Sequence, residues 1–253
     1  MFKTDNYKNK TVVITGGTKG IGLGITKAYL SLSAKVIILA RNKPKKQIQV
    51  KGNKALFYRC NVRDNANVEE VINEIFKVNK CIDVLINNAG GAPLISSLDA
   101  SMNFNNAIID LNLNSSFAVS YYVAKKMIKK SSGCVITNIS SVTATRPTPG
   151  SAAYGAAKGG LVNLTKTLAV EWAPKIRVNS IITGYIETEN SLIHYGSKKD
   201  MKAVAKTIPM KRMGTPEDIA NACMFLSSAN SSWVTGTAIE VHGGGESPTY
   251  LNS

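Results

Sequence analysis

The sequence predicts one α/β domain, residues 1–253, in which helices cover both faces of a doubly wound, parallel, seven-stranded sheet. Three observations predict it: short apolar segments alternate with longer amphipathic ones, the apolar segments are nearly continuous in Val, Ile and Leu, and no repeat or low-complexity linker divides the 253 residues. Strands that are buried on both faces have such continuous apolar sequences, and alternating strands and helices form parallel sheets.

Each predicted element is bounded by the change between an apolar run and an amphipathic stretch. The strands are expected at Thr11–Thr15, Lys35–Ala40, Ala55–Cys60, Ile82–Asn87, Cys134–Ile139, Ile176–Ile182 and Ala238–Val241. The helices are expected at Gly20–Leu32, Asn65–Val78, Asn112–Ser131, Tyr154–Trp172 and Pro216–Ser227.

The segment Glu187–Thr215 departs from this alternation. It is long, polar and basic, and it follows a predicted strand end, which is where α/β sheets bind their ligands. We expect a lid that covers a substrate at about residues 187–215. The alternative is a decorated surface loop.

A glycine-rich segment joins the first strand to the first helix, with the sequence Thr15-Gly16-Gly17-Thr18-Lys19-Gly20-Ile21-Gly22. Glycines allow a tight turn there, and the backbone N–H groups at the start of a helix bind the pyrophosphate of a dinucleotide. A glycine triplet alone is a weak signal, but its position between strand and helix is the one that the motif requires. The segment therefore predicts a Rossmann-type nucleotide site.

The glycine spacing resembles the TGxxxGxG motif of the short-chain dehydrogenases/reductases, and further motifs extend the resemblance over nearly the whole chain. Asn87-Asn88-Ala89-Gly90 is similar to the family's NNAG motif, and Ser141 with Tyr154 and Lys158 is similar to its Ser…YxxxK motif. Asn112 is similar to its helix asparagine, and Gly184-Tyr185-Ile186-Glu187-Thr188 is similar to its cofactor-contacting turn. The resemblance implies an oxidoreductase that transfers a hydride between a nicotinamide cofactor and a ketone or secondary alcohol.

The resemblance also implies the catalytic roles. Tyr154 would act as acid or base, Ser141 would bind the substrate oxygen, Lys158 would hold the nicotinamide ribose, and Asn112 would anchor a water that links Lys158 to solvent. Asn114 lies two residues after Asn112, and its side chain would point in another direction on a helix.

The spacing of Tyr154 and Lys158 carries its own information, because residues four apart project from one helix face. A nearby ammonium favours a phenolate, so we expect the pKa of Tyr154 to fall below its reference of about 10.

The end of the second strand distinguishes NAD from NADP. An acidic residue there would bind the ribose 2′-hydroxyl and repel a 2′-phosphate. Here Leu39-Ala40-Arg41-Asn42 contains no acid. Arg41 can pair with a phosphate through two parallel hydrogen bonds, and Lys19 adds a point charge. We therefore predict NADP(H), with solvated surface charges as the alternative.

The remaining cofactor contacts follow from the resemblance. Asn61 stands where the family has an Asp that faces the adenine, and Thr188 with the backbone of Ile186 would hold the nicotinamide carboxamide. The expected cofactor-binding residues are Gly16, Thr18, Lys19, Gly20, Ile21, Gly22, Arg41, Asn61, Val62, Asn88, Ala89, Gly90, Tyr154, Lys158, Ile186 and Thr188. One departure, Thr183-Gly184 in place of Pro-Gly, is expected to loosen the turn after the sixth strand.

The net charge is the unusual feature of the composition. The chain has 31 Lys and Arg residues against 16 Asp and Glu, a net charge of +15, concentrated at Arg41–Lys54, at Lys125, Lys126, Lys129 and Lys130, and at Lys198–Arg212. A positive surface attracts anions, although codon usage is an equal explanation. Nucleic-acid binding would need aromatic platforms or a groove-reading helix beside the charge, and neither is predicted.

Several features indicate a cytoplasmic protein. The four cysteines are far apart in sequence and form no CxxC pair, as expected of reduced thiols. No apolar run is long enough to span a membrane, and Met1–Lys10 lacks the apolar core of a signal peptide. His194 and His242 have no pattern of partners for a metal, so no metal site is expected.

The substrate is less constrained than the reaction. Much of the family reduces the 3-oxo group of acyl-carrier-protein or coenzyme A thioesters, and the basic lid and Lys129-Lys130 suit such anionic carriers. Ser131 stands where carrier-protein reductases have another basic residue, which argues against carrier-protein docking. Arg146–Gly150 resembles members that act in acyl-CoA or sterol-ring catabolism, and small ketones, sugars and polyketides remain alternative substrates.

The resemblance implies a homotetramer or homodimer. The alternative function is a non-catalytic NADP sensor or scaffold, a kind that usually lacks the Tyr or Lys.

Overall fold

A computed structural model of the chain describes residues 7–129 and 133–245. The strands of its main sheet are β1 Thr11–Thr15, β2 Lys35–Ala40, β5 Leu56–Arg59, β6 Val84–Asn87, β7 Cys134–Ser141, β8 Ile176–Thr183 and β9 Ala238–Val241, and a small hairpin contains β3 Gln49–Val50 and β4 Asn53–Lys54. The order across the main sheet is β5-β2-β1-β6-β7-β8-β9, with every pair parallel. The predicted doubly wound sheet is confirmed.

Helices cover both faces of this sheet, as predicted. They are α1 Gly20–Ser31, α2 Asn65–Asn79, α3 Met102–Ile109, α4 Ser115–Met127, α5 Ala152–Trp172, α6 Ser191–Tyr195, α7 Lys198–Thr207 and α8 Pro216–Ser227. One apolar core lies between the sheet and α1 with α8, and the other lies between the sheet and α2, α4 and α5. Alternate residues of β1 enter the two cores, with Val13 in one and Val12 and Ile14 in the other.

The strand order reverses beside β1, because β2 and β6 lie on its two sides. In doubly wound sheets the crevice at this reversal, at the carboxyl ends of the strands, is where ligands bind. The glycine segment lies there because it follows directly after β1.

Two strands are longer than predicted. β7 continues through Ser141 and β8 through Thr183, although their last residues are polar. The polar side chains of β7 are buried, and the Asn138 amide donates a hydrogen bond to Thr165 Oγ1 of α5 at 2.9 Å. The apolar pattern ends early because this end of the sheet contacts its helices through polar groups.

The predicted helix Asn112–Ser131 begins earlier in the structure and has three parts. Helix α3 is capped by Ser101, whose hydroxyl accepts the N–H of Phe104 at 3.1 Å, and a π-helical turn at Asp110–Asn114 joins it to α4. The asparagines around α3 obscured its helical pattern in the sequence. Lys130 and Ser131 lie outside the described residues.

The predicted lid segment contains the two short helices α6 and α7. Its ends are joined at the base, because the N–H of Glu187 donates to the carbonyl of Gly214 at 2.8 Å and the N–H of Gly214 donates to that of Tyr185 at 2.9 Å. A capping box between Ser197 and Asp200 starts α7. The segment is therefore an ordered excursion from the carboxyl end of β8.

Within residues 7–129 and 133–245, no helix has the length and apolar character that a bilayer crossing needs. The same ranges contain no group of three or more His, Cys, Asp and Glu side chains that could hold a metal ion. None of the four cysteines, all within the described residues, is in a disulfide. Three predicted features lie outside what the structure describes: the chain before Tyr7, the tail from Glu246 and the side chain of His194. The other histidine, His242, contacts Glu240 through its Nε2 atom, which lies 2.7 Å from Oε2.

Candidate active site

Three of the four predicted catalytic residues come together where α5 meets the end of β7. Ser141 ends β7, while Tyr154 and Lys158 lie one turn apart near the start of α5. The Ser141 hydroxyl hydrogen-bonds the Tyr154 phenol, and Lys158 Nζ lies 5.6 Å from the centroid of the Tyr154 ring. A hydroxyl, a phenol and an ammonium are thus neighbours at this end of the sheet.

Lys158 is buried, with 3% of its surface exposed. Its ammonium donates a hydrogen bond to the carbonyl of Ile139 at 2.8 Å. Burial disfavours the charged form and lowers the pKa of Lys158 to about 8.

Tyr154 responds to burial in the opposite direction. Burial raises its pKa above the ordinary value, and the hydrogen bond from Ser141 lowers it by less. The expected fall in the pKa of Tyr154 is therefore not found in this structure, because burial is the larger of the two causes. The phenol keeps its proton at neutral pH.

Asn112 is fully buried in the π-helical turn. Its Oδ1 accepts the N–H of Gly91 at 2.8 Å, and its Nδ2 donates to the carbonyls of Gly91 at 3.1 Å and Ile108 at 2.9 Å. A Cβ built on Gly90 would lie 2.6 Å from Asn112 Oδ1 and 3.2 Å from Lys158 Nζ, so the two groups meet at this glycine. π-helical turns are frequent at functional sites.

The neighbouring Asn114 is exposed. Its amide donates to the carboxylate of Asp110 at 2.7 Å. The structure thus places Asn112, and not Asn114, beside Lys158.

The glycine segment is tied to two strand ends. Gly16 has a left-handed backbone, with φ +68°, and its N–H donates to the carbonyl of Leu39 at 2.8 Å. The Asn88 amide donates to the carbonyls of Thr15 at 3.0 Å and Gly16 at 3.3 Å, and Thr15 Oγ1 accepts the N–H groups of Asn88 and Ala89, each at 2.9 Å. Asn88 and Thr15 therefore hold β1 and β6 together at the cofactor end. Thr15 was not among the predicted site residues, because its role lies in this contact.

Gly22 allows α1 to approach β1. A Cβ at this position would collide with the carbonyl oxygen of Gly16 and the amide of Asn88. The third glycine of a dinucleotide-binding segment serves such close packing.

The first turn of α1 offers N–H groups to an anion. The turn contains no acidic residue, and the preceding Lys19 is exposed and makes no side-chain cap. The N–H of Gly20 donates instead to a carboxylate oxygen of Glu189, in the lid segment, at 2.8 Å. The carboxylate stands in for an anionic oxygen at this position, which fits the pyrophosphate of a dinucleotide. Sequence reasoning missed Glu189, an acid in an otherwise basic segment.

Two predicted phosphate ligands lie at the same edge of the sheet. Arg41 follows β2 directly and is exposed, as is Lys19. The hydrogen bond between Gly16 and Leu39 brings the two loops together. Thr18 and Ile21, also in the glycine segment, are half-buried.

Asn61 and Val62 close the turn that follows β5. Asn61 Oδ1 accepts the N–H of Arg63 at 3.3 Å, and its own N–H donates to Asn67 Oδ1 at 2.9 Å. Val62 is buried in the core. The structure therefore gives both residues a local structural role beside the expected contact with the adenine.

Two hydrogen bonds anchor the turn after β8, where the proline is missing. Thr183 Oγ1 donates to the carbonyl of Ser140 at 3.0 Å, and the N–H of Gly184 donates to that of Val241 at 3.1 Å. The expected loosening of this turn stays a prediction.

Ile186 and Thr188 bring this turn to the glycine segment. Ile186 is buried, and the N–H of Thr188 donates to Ser191 Oγ at 2.7 Å. A Cβ built on Gly20 would lie 3.6 Å from the Thr188 methyl carbon. The predicted nicotinamide and pyrophosphate ends of the site are therefore adjacent.

Comparison with known proteins agrees with this architecture. A family model described as Enoyl-(Acyl carrier protein) reductase matches residues 16–246. The chain is 36% identical over 242 residues to the 3-oxoacyl-(acyl-carrier-protein) reductase FabG of Chlamydia pneumoniae, covering 93% of this chain and 96% of that protein.

Two solved structures are similar over nearly the whole chain. One is a short chain dehydrogenase from Bacillus anthracis, with TM-score 0.85, 34% identity and coverage of 95% of this chain and 97% of that one. The other is the aldohexose dehydrogenase of Thermoplasma acidophilum in ligand-free form, with TM-score 0.88, 32% identity and 94% of each chain covered. Since the family model spans most of the chain and these relatives align over nearly their full length, the chain belongs to the short-chain dehydrogenase/reductase family.

Proposed function

We propose that this oxidoreductase uses NADP(H) to interconvert a ketone and a secondary alcohol, with 3-oxoacyl thioesters as the favoured substrates. One observation carries the proposal: a buried phenol, Tyr154, hydrogen-bonded by Ser141 beside the ammonium of Lys158. The relative from Chlamydia pneumoniae is named a 3-oxoacyl-(acyl-carrier-protein) reductase, which supports the thioester class.

When bound, the dinucleotide would supply the hydride in the reducing direction. Tyr154 Oη would then give its proton to the carbonyl oxygen as that oxygen gains negative charge, because a phenol with a raised pKa is protonated at neutral pH. Ser141 Oγ would donate a hydrogen bond to the same oxygen. The Lys158 ammonium would stabilise the phenolate that is left, and Asn112 would hold a water through which the proton is replaced.

The choice of NADP over NAD rests on local charge. Arg41 and Lys19 are exposed cations at the cofactor end of the sheet, and β2 ends without an acid that would repel a 2′-phosphate. We propose that Arg41 binds this phosphate with its two-pronged guanidinium and that Lys19 adds charge.

We also propose that the chain forms a homodimer or homotetramer. Phe117 and Tyr121 lie one turn apart on α4, with 45% and 46% of their surfaces exposed. Aromatic residues are enriched at subunit interfaces, so this face suits a second copy.

We propose that the protein acts in the cytoplasm, because cysteines without disulfides suit a reducing compartment.

A non-catalytic NADP sensor is the alternative, and a single substitution separates it from an enzyme. Tyr154→Phe should lower kcat about 10²–10⁴-fold, the range for loss of a general acid, while the Kd for NADPH changes little. NADPH absorbance with a panel of ketones and 3-oxoacyl thioesters measures the first quantity, and cofactor fluorescence measures the second. Tyr58→Phe, on the edge strand β5, is the matched control. A wild type that binds NADPH and reduces nothing would favour the sensor.

Reversing the charge at Arg41 should change the cofactor preference. For Arg41→Asp, the ratio of kcat/KM with NADPH to kcat/KM with NADH should fall by about 100-fold, because a charge-assisted hydrogen bond is replaced by repulsion. Lys54→Asp makes the same charge change on the β3–β4 hairpin and should leave the ratio unaltered. An unchanged ratio in Arg41→Asp would mean that the 2′-phosphate is held elsewhere.

The buried Lys158 should make stability depend on pH. Its pKa is about 8 in the folded chain against 10.5 for the exposed group, so the unfolded state binds more protons between these values. Burying the charge therefore costs stability below about pH 8, and this cost disappears as the pH rises towards 10.5. Relative to Lys158→Met, the free energy of unfolding of the wild type should rise across this window by roughly 3 kcal/mol at most. Urea unfolding of both proteins at several pH values measures it, and parallel pH curves would contradict it.

The proposed interface can be tested by adding a charge to it. Phe117→Glu should shift the protein towards the monomer, because a carboxylate buried between two subunits would have no partner. Sedimentation velocity measures the mass of the particle, and Val78→Glu on α2 is the control at another exposed apolar position. A monomeric wild type, or an unchanged mass in Phe117→Glu, would count against this interface.

A further inference from the structure

A cleft with largely apolar walls reaches the proposed proton donor. It lies between α3, the first residues of α5 and the loop that joins β6 to α3, and its volume is about 240 Å³. Pro93 and Ile95 line it from the loop, Phe104 and Ile108 line it from α3, and Tyr154 lines it from α5. An apolar space that the proposed proton transfer does not use therefore adjoins Tyr154.

The walls of this cleft are joined to each other. The N–H of Ile95 donates to the carbonyl of Gly150 at 3.0 Å, which ties the loop after β6 to the segment that leads into α5. Gly150 has a φ of +79°, a backbone conformation that glycine adopts without strain. Helix α3 packs against α5 and closes the other side. The cleft is therefore part of the folded chain rather than a gap beside a loose loop.

The lining of the cleft favours an uncharged, apolar ligand. Within the described parts of the chain, no side chain that lines the cleft carries a formal charge at neutral pH, and its polar side chains are those of Ser97, Asn105 and Ser151. A charged group would lose its hydration there without gaining an ion partner. An alkyl chain has no hydrogen bonds to lose, and burial favours its binding by about fourfold for each methylene.

Apolar side chains continue from the cleft to the protein surface. Leu94, Leu98 and Met102 belong to the same loop and the start of α3, and each has 70% or more of its surface exposed. A Cβ built on Gly150 would lie 3.7 Å from the Leu94 side chain, and the Asn105 amide lies 4.0 Å from Met102 Sδ. Both leucine and methionine thus adjoin residues that line the cleft. Exposed apolar groups beside a cleft are typical of a ligand-binding groove.

The order of the strands gives the two substituents of a ketone different surroundings. Strand β7 ends at Ser141 and lies between β6 and β8, so the loop of the cleft is on one side of Ser141 and the lid segment is on the other. The lid segment has exposed lysines on α7, namely Lys198, Lys199, Lys202 and Lys206. A 3-oxoacyl thioester has an alkyl chain on one side of its ketone and a thioester arm on the other. The uncharged cleft suits the chain, and the basic segment suits an arm that leads to an anionic carrier.

We propose that the cleft between α3 and α5 binds the alkyl chain of a 3-oxoacyl substrate, which runs from the carbonyl at Tyr154 past Ile95 and Phe104 to the exposed Leu94 and Met102. Ile95 is then a specificity-determining residue that contacts the chain, and longer chains are preferred to the shortest one. This inference rests on the proposed function, because it requires a carbonyl substrate at Tyr154.

Substrates that differ only in chain length test the inference. They are the neutral N-acetylcysteamine thioesters of 3-oxobutanoate, 3-oxohexanoate, 3-oxooctanoate and 3-oxodecanoate. KM and kcat are measured with NADPH for the wild type, Ile95→Ser and Ile95→Trp, and calorimetry measures the Kd of each thioester with the free and the NADP⁺-loaded protein. Ile193→Ser removes an exposed apolar side chain from the lid segment and is the matched control.

For the wild type, kcat/KM should rise from the butanoyl to the octanoyl compound, by up to about fourfold for each methylene that is buried. Ile95→Ser should lower the ratio of octanoyl to butanoyl kcat/KM by about four- to sixteenfold, which corresponds to one or two methylenes that lose apolar surroundings, while the butanoyl value changes less than about twofold. Ile95→Trp fills the cleft and should bring the longer chains down towards the butanoyl value. Ile193→Ser should leave the ratio unaltered.

A wild type without chain-length preference, or equal losses for every chain in the Ile95 variants, would overturn the inference, since Ile95 would then only support its loop. A changed ratio in Ile193→Ser but not in Ile95→Ser would also overturn it, because the chain would lie beneath the lid segment. Failure of the proposed function gives a different result. In that case the wild type reduces none of the thioesters, while calorimetry still reports whether Kd falls with chain length and whether Ile95→Ser abolishes this trend.

Discussion

Helix α5 is held against strand β7 by buried polar contacts, and the positions of the reacting groups depend on them. Ser140 Oγ donates to the carbonyl of Lys158 at 3.1 Å, the Asn138 amide donates to Thr165 Oγ1, and the Lys158 ammonium donates to the carbonyl of Ile139. Apolar packing alone would let the helix slide along the sheet, because it is not directional. Hydrogen bonds to fixed backbone atoms give the helix one position, and Tyr154 then lies beside Ser141.

The same kind of constraint organises the cofactor end of the sheet. Thr15 and Asn88 join β1 to β6, and Gly16 joins β1 to β2, so three loops share one framework at the point where the strand order reverses. Parallel strands bring their carboxyl ends to one edge, and residues far apart in sequence become neighbours there. The NNAG and glycine motifs thus have a structural role as well as the expected contact with a cofactor.

The sequence predicts the parts of this molecule that depend on local patterns of residues. Continuous apolar runs located every strand of the main sheet, and motif spacing located Ser141, Tyr154, Lys158 and Asn112. It could not locate α3 or the end of β7, because asparagines and serines interrupt the apolar pattern there. Ser101 caps α3 through the N–H of Phe104, and Ser140 hydrogen-bonds to Lys158 of α5. Arg146 and Tyr185 are 39 residues apart and meet only because β7 and β8 are adjacent. The pKa of Tyr154 was predicted in the wrong direction because burial cannot be deduced from spacing.

Burial acts on the two titrating groups of the site in opposite directions. It raises the pKa of Tyr154 and lowers that of Lys158, since each shift favours the neutral form. Exclusion of water therefore shifts the pKa of each group in the direction of its neutral form, and the phenol of Tyr195, in the segment that follows β8, interacts electrostatically with that of Tyr154.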